Sequence, residues 1–135
     1  MFVDLKRIAI DHLAAQLPAQ PVELVCDGPK LSQALTNLLQ NAAQAMTENG
    51  RAGTITVTLR QEEGSVVIEV EDEGPGFPAE RGRLLEPYVT TRGGGTGLGL
   101  AIVRKIMEEH TGTVELLSGE RGGALVRLTF PDRRA

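Results

Sequence analysis

The sequence predicts an α+β fold, a two-layer sandwich in which helices cover one face of a mostly antiparallel mixed sheet. Three observations carry this. Two stretches repeat apolar residues at helical spacing. Four others alternate or cluster aliphatic residues over strand lengths. Glycine-bearing turns join those strands in pairs.

The first 28 residues read two ways: Leu5, Ala9, Leu13 and Leu17 form a helical stripe, while Ile8 and Ile10 alternate as in a strand. We read a helix there, followed by a strand at Val22–Cys26. Leu31, Ala34, Leu35, Leu38, Leu39, Ala42 and Met46 then mark a long helix that Asn49-Gly50 stops. Thr54–Arg60 alternates Ile55, Val57 and Leu59 with polar residues, a half-buried strand. Gln61–Ser65 reads as a turn and Val66–Asp72 as the next strand. Pro75, Pro78 and Pro87 punctuate a long loop from Glu73 to Thr96. A helix is predicted from about Gly97 to His110, burying Leu98, Ile102, Val103, Ile106 and Met107 and ending at Gly112. Thr113–Leu117 and Ala124–Phe130 complete the sheet, joined by the glycine turn at Gly119–Gly123.

At 135 residues the whole chain, 1–135, reads as one domain with a single core. Hydrophobic and charged contents of 41% and 24% are those of an ordinary globular protein. A net charge of −4, one tyrosine, three phenylalanines and no tryptophan offer neither a basic face nor a stacking platform, so no nucleic-acid partner is expected. Cys26 is the only cysteine, which rules out an intrachain disulfide and suits a reducing compartment. It reads as a small core residue. No apolar run reaches membrane-spanning length and no signal pattern opens the chain.

Strand parity singles out Asp72. Positions 66, 68, 70 and 72 share one face, and three of them are Val66, Ile68 and Val70. Glu69 and Glu71 take the opposite face, so Asp72 alone carries an acid to the core side. A buried carboxylate needs donors. Those are either backbone amides of its own turn or a ligand such as the exocyclic amine of adenine. Gly74 and Gly76 would let the backbone approach a flat ligand. Gly74–Ala79 also fits the dinucleotide pattern G-x-G-x-x-A, but Pro78 breaks the required helix and no acid lies between Pro87 and Met107. Gly93–Leu100 is a glycine-rich loop entering a helix, suited to phosphate oxygens or simply flexible, and it lacks the Gly-Lys-Ser/Thr of a P-loop. Gln33, Asn37 and Asn41 form a polar stripe at i, i+4 spacing. It is either a solvated face or a place where the Asn41 amide oxygen meets Mg²⁺ and Asn37 holds one of the ion's waters. Thr90, Thr91 and Thr96 offer hydroxyls and Arg92 a charge for phosphate.

At these residues the chain resembles the catalytic, ATP-binding domain of sensor histidine kinases of the nitrogen-regulation type. That family shares a superfamily, and a Bergerat-type ATP-binding fold, with gyrase, heat-shock chaperone and mismatch-repair ATPases. Leu35–Ala45 resembles the N box, Asp72–Gly76 the first glycine box, Glu86–Arg92 the segment before the lid and Gly93–Leu100 the second glycine box. The match spans about residues 24–131, and four boxes in this order are specific. The resemblance implies ATP and Mg²⁺ as cofactors, with Asp72 reading adenine, Asn41 binding the metal and Asn37 positioning water beside it. It implies that Gln44, Ala45, Gly74, Gly76, Phe77 and Tyr88 contribute to the nucleotide pocket. Thr90, Thr91 and Arg92 would belong to a lid over Thr90–Gly95, mobile without nucleotide. Gly95, Thr96, Gly97, Leu98, Gly99 and Leu100 would wrap the triphosphate. One departure is Ala45, where many relatives stack a tyrosine on the base. Another is that residues 1–28 leave room for only part of the helix and two strands that usually precede the N box.

Three function classes follow. In the first, the chain donates the γ-phosphate of Mg·ATP to a histidine on a dimerisation and phosphoacceptor domain, which then serves a response regulator. In the second it is a hydrolytic ATPase or switch, and in the third a nucleotide-sensing module. Relatives of the last two kinds carry a glutamate base where this chain has Asn37, and an amide cannot take a proton. The first reading is therefore preferred, with the isolated domain monomeric, cytoplasmic and unable to phosphorylate itself. His12 lacks the acidic neighbour and the downstream proline-leucine that usually follow a phosphoacceptor histidine in this family, and His110 ends a helix that starts at the phosphate loop. Both read as surface histidines.

Overall fold

The computed structural model describes residues 13–16, 24, 26–48, 53–78, 84–86, 99–120 and 122–131. In chain order they form β1 (Leu13–Gln16), α1 (Gly28–Glu48), β2 (Ile55–Glu62), β3 (Ser65–Glu71), α2 (Gly99–Glu109), β4 (Thr113–Ser118) and β5 (Ala124–Pro131). The sheet order is β1-β2-β3-β5-β4. Every pairing is antiparallel except β1 with β2, which is parallel. This is the mixed two-layer sandwich that the sequence predicts.

Asp27 starts α1: its carboxylate accepts from the Lys30 amide at 3.2 Å and its carbonyl from Leu31 at 3.0 Å. Leu31, Ala34, Leu35, Leu38, Leu39, Ala42 and Met46 line the buried side, and from α2 Val103, Ile106 and Met107 join them. The sheet answers with Ile55, Val57, Val66, Ile68, Val70, Leu116, Val126, Leu128 and Phe130. Cys26 packs half-buried against this core, and burial pushes its thiol above the ordinary value.

α2 ends in a Schellman turn, with the Gly112 amide reaching the Met107 carbonyl at 2.8 Å and Thr111 that of Glu108 at 3.1 Å. The left-handed residue there is Thr111, with φ 54°, and not the glycine after it. His110 is half-buried, contrary to its reading as a surface residue. Its Nε2 accepts from the Asp27 amide at 3.0 Å, its Nδ1 meets the Ile106 carbonyl at 2.7 Å, and its ring abuts Phe130 edge-on. His12 lies outside the described residues.

The N-terminal expectation needs correction. Leu13–Gln16 is a strand, not helix, and Leu24 and Cys26 belong to no strand. A four-residue spacing of apolar residues does not outweigh the open edge of β2, which takes Leu13–Gln16 in register with Ile55–Thr58. The turn expected over Gln61–Ser65 shrinks to Glu63 and Gly64, because β2 and β3 pair as far as Glu62 and Ser65.

On the outer sheet face Glu69 accepts from Arg60 Nη1 and, at 2.7 Å, from Arg127 Nε. Val67, on the same face, is only 2% exposed. Burial pushes the Glu69 carboxyl up, but the hydrogen bonds from Arg60 and then Arg127 outweigh it and leave it below the ordinary glutamate value. A depressed folded value means stability that is present above the unfolded glutamate pKa, about 4.3, and lost as pH falls through the folded one. Glu69→Gln should cost roughly 1 kcal/mol at neutral pH. It should also flatten the acid limb of a urea-unfolding series, whereas an unchanged limb would show that Glu69 does not contribute to it.

Candidate nucleotide-binding site

α1, the end of β3 and the turn between β4 and β5 meet around Asp72, which is 4% exposed and is the only buried polar residue among the described ones. It lies one step beyond β3, and its amide still reaches the Ala124 carbonyl at 2.9 Å. Its Oδ1 accepts from the Gly74 amide at 2.8 Å and from the Ala124 amide at 3.2 Å. Of the two kinds of donor that the sequence left open, the backbone amides are present. The carboxylate caps its own turn, yet among the described residues both of its hydrogen bonds converge on one oxygen.

The adjacent acids brace the surroundings. Glu71 accepts from the Glu120 amide at 3.0 Å and Glu73 from the Thr54 amide at 2.5 Å. Strand parity puts Glu71 on the face opposite the core, and nothing in the sequence pattern marks Glu73. Gly76 takes φ 83°, a conformation that favours glycine, where the chain turns away from the sheet.

α1 supplies the opposite wall. A methyl built on Gly74 would come within 3.1 Å of the Ala45 side chain, so the first glycine turn rests directly on this buried alanine. One turn earlier, Asn41 faces the start of α2: a methyl built on Gly99 would lie 3.5 Å from Asn41 Nδ2 and 3.6 Å from its Oδ1. One turn earlier again, Asn37 Nδ2 is buried and has no hydrogen-bond partner among the described residues. The stripe is thus no plain solvated face: Gln33 is exposed, but Asn37, Asn41 and Gln44 are half-buried. Phe77 and Leu100 pack half-buried against the core beside these turns. Tyr88, Thr90, Thr91, Arg92, Gly95, Thr96, Gly97 and Leu98 lie outside the described residues. So does the whole of the expected lid.

Residues 26–134 match the family model described as histidine kinase-, DNA gyrase B- and HSP90-like ATPase. The chain belongs to this ATPase family. It is 51% identical over 119 residues to the nitrogen regulation protein NtrY of Azorhizobium caulinodans, covering 84% of this chain and 15% of that protein. To the sensor histidine kinase ZraS of Escherichia coli it is 41% identical, covering 81% of this chain and 23% of the relative. It therefore spans less than a quarter of the length of these relatives. Among solved structures, the nucleotide-free catalytic domain of histidine kinase ThkA superposes with a TM-score of 0.79 at 31% identity, covering 89% of this chain and 78% of that one. Full-length ShkA in complex with AMPPNP gives 0.77 at 29% identity, covering 92% of this chain and 26% of that one.

In this ATPase domain, Gly74→Ala tests the contact between the glycine turn and α1. Its methyl would press on both Ala45 and Asp72 Oδ1, each 3.1 Å away, and should cost about 1–3 kcal/mol as overpacking does. Urea unfolding measures this, and an unaltered midpoint would contradict the packing.

Proposed function

We propose that this chain is the Mg·ATP-binding, phosphoryl-donor domain of a sensor histidine kinase, transferring to a histidine on a dimerisation and phosphoacceptor domain of the same protein. The observation that carries the reading is Asp72, a buried carboxylate whose two protein hydrogen bonds both fall on Oδ1. Oδ2 then accepts from the 6-amino group of adenine. The residues fit the nucleotide on two further counts. Ala45, against which the Gly74 turn packs, is a small aliphatic residue and leaves the base without a stacking aromatic at this position. The orphaned Asn37 Nδ2 is a buried donor that calls for an acceptor, which a phosphate oxygen or a metal-bound water provides.

Asn41 would hold Mg²⁺ through its amide oxygen, a hard ligand of the kind this ion prefers. Bound Mg·ATP supplies an electrophilic γ-phosphoryl group, and the ion neutralises charge on it. The chain's own contribution is positioning: Asp72 and Ala45 fix the base, while Asn41 and Asn37 fix the phosphate end. Asn37, being an amide, cannot draw a proton from water, which favours transfer to a partner over hydrolysis. A response regulator downstream and a cytoplasmic location follow from this reading. Among the described residues no helix is long and apolar enough to cross a membrane.

Base recognition is tested by Asp72→Asn. The amide keeps an oxygen for Gly74 and Ala124, so the fold should persist, but it presents a donor to the base. ATP affinity should fall at least tenfold in calorimetry, and the wild type should prefer ATP to GTP by a similar factor. Equal affinities of the wild type for the two nucleotides would overturn the assignment.

Phosphoryl transfer is tested by incubating the chain with Mg·ATP, alone and with a cognate dimerisation and histidine domain. Acid-labile phosphate should appear only on the added domain, and Asn41→Ala should abolish it. Labelling of the isolated chain on His12 or His110 would make it a self-contained kinase and refute the division of labour.

A further inference from the structure

The turn between β4 and β5 comes from a part of the chain outside the boxes discussed above, yet it makes the closest approach to Asp72 among the described glycines. A methyl built on Gly123 would lie 2.0 Å from the Asp72 carbonyl oxygen, 2.7 Å from its carbonyl carbon and 3.0 Å from Oδ1. The next residue, Ala124, donates its amide to that same Oδ1 and accepts from the Asp72 amide. The turn is itself closed by Gly119, whose amide reaches the Gly123 carbonyl at 2.8 Å, and by Gly122, whose amide reaches the Gly119 carbonyl at 3.1 Å. Glu71 pins its near side through the Glu120 amide. On its other side the Gly122 carbonyl lies 2.8 Å from where a Gly76 methyl would stand. The turn is therefore wedged between Asp72 and the first glycine turn, with no room for a side chain at position 123.

We infer that Gly123 is a positioning residue for base selection: by admitting the β4–β5 turn to Asp72, it lets the Ala124 amide hold Oδ1 and so turns Oδ2 towards the base. This rests on the assignment of Asp72 to adenine. Oδ1 is fixed by two amides from separate segments, Gly74 from its own turn and Ala124 from β5. A carboxylate fastened from one segment only can rotate about χ2 and share both oxygens with the Gly74 amide. Fastened from both, it presents one oxygen in a set direction, which is what discriminating a 6-amino from a 6-oxo group requires. Gly123→Ala cannot keep the turn in place, since contacts of 2.0 and 2.7 Å to backbone atoms do not relax by a rotamer change.

The test compares ATP and GTP binding by calorimetry in four proteins. Gly123→Ala should lower ATP affinity about tenfold while leaving the weak GTP affinity unchanged, so that the ratio collapses. Glu71→Ala, which frees the turn without a steric clash, should reduce the ratio about threefold and carries the test if Gly123→Ala does not fold. Gly64→Ala is the control: Gly64 has φ 75° in the β2–β3 turn and nothing within 4 Å, so its substitution strains a hairpin without touching Asp72 and should leave the ratio intact. A Gly123→Ala protein that loses both nucleotides in proportion, or keeps the wild-type ratio, overturns the inference while the Asp72 assignment stands. A wild type without preference for ATP removes the assignment itself.

Discussion

The requirement that a buried carboxylate be given donors organises this fold around Asp72. Burial of an unpartnered carboxylate costs at least several kcal/mol, and hydrogen bonds to charged groups contribute about 1.5–3 kcal/mol each. Two amides at Oδ1 therefore offset much of the penalty. They also dictate where two turns go. The Gly74 turn must fold back under the carboxylate, and the β4–β5 turn must lie against it. Glu71 and Glu73 extend the same principle outward, each accepting a backbone amide from a different segment. Three consecutive acids thereby draw the ends of β2, β3 and β5 together at one edge of the helical layer.

α1 carries the second half of the site, and its placement depends on both of its ends. At its N-terminus the Asp27 amide donates to His110 Nε2, so the ring proton resides on Nδ1 and points to the Ile106 carbonyl. Lys30 and Glu109 pair nearby at 2.7 Å across the same junction. These contacts tie the start of α1 to the end of α2. The start of α2, at Gly99, then falls beside Asn41 two-thirds of the way along α1. Asn37, Asn41 and the entry to α2 are consequently held by one antiparallel helix pair. Asp72 is held by the sheet, and Ala45 against Gly74 is where the two systems meet.

Much of this was legible in the sequence for identifiable reasons. The period of Leu31–Met46 and the parity of Val66–Asp72 both report burial directly, so α1, β3 and the inward carboxylate could be read from residue order alone. The segments that could not be read depend on partners distant in sequence. Leu13–Gln16 is a strand because β2 has an open edge, and Leu-Ala-Ala-Gln by itself says nothing of the kind. Thr111 takes the left-handed position of the turn that ends α2, while Gly112 is required by its close approach to the Thr129 carbonyl, 2.5 Å from where a methyl would stand. Gly123 looked like an ordinary turn glycine, since its constraint is a contact across 51 residues of chain with Asp72. Strand parity puts Glu69 on the face opposite the core, while the cross-strand arginines that shield it become visible only with the β2–β3 and β3–β5 registers.

The protein sets Asp72 before any nucleotide arrives. Amide hydrogen exchange at Gly74 and Ala124, followed residue by residue in the nucleotide-free protein, tests it most directly. Both amides should exchange at rates close to those of the paired core strands β3 and β5, because breaking either bond exposes a buried carboxylate. Fast exchange at both positions, slowed only on addition of Mg·ATP, would mean that the ligand builds the site and would contradict the account.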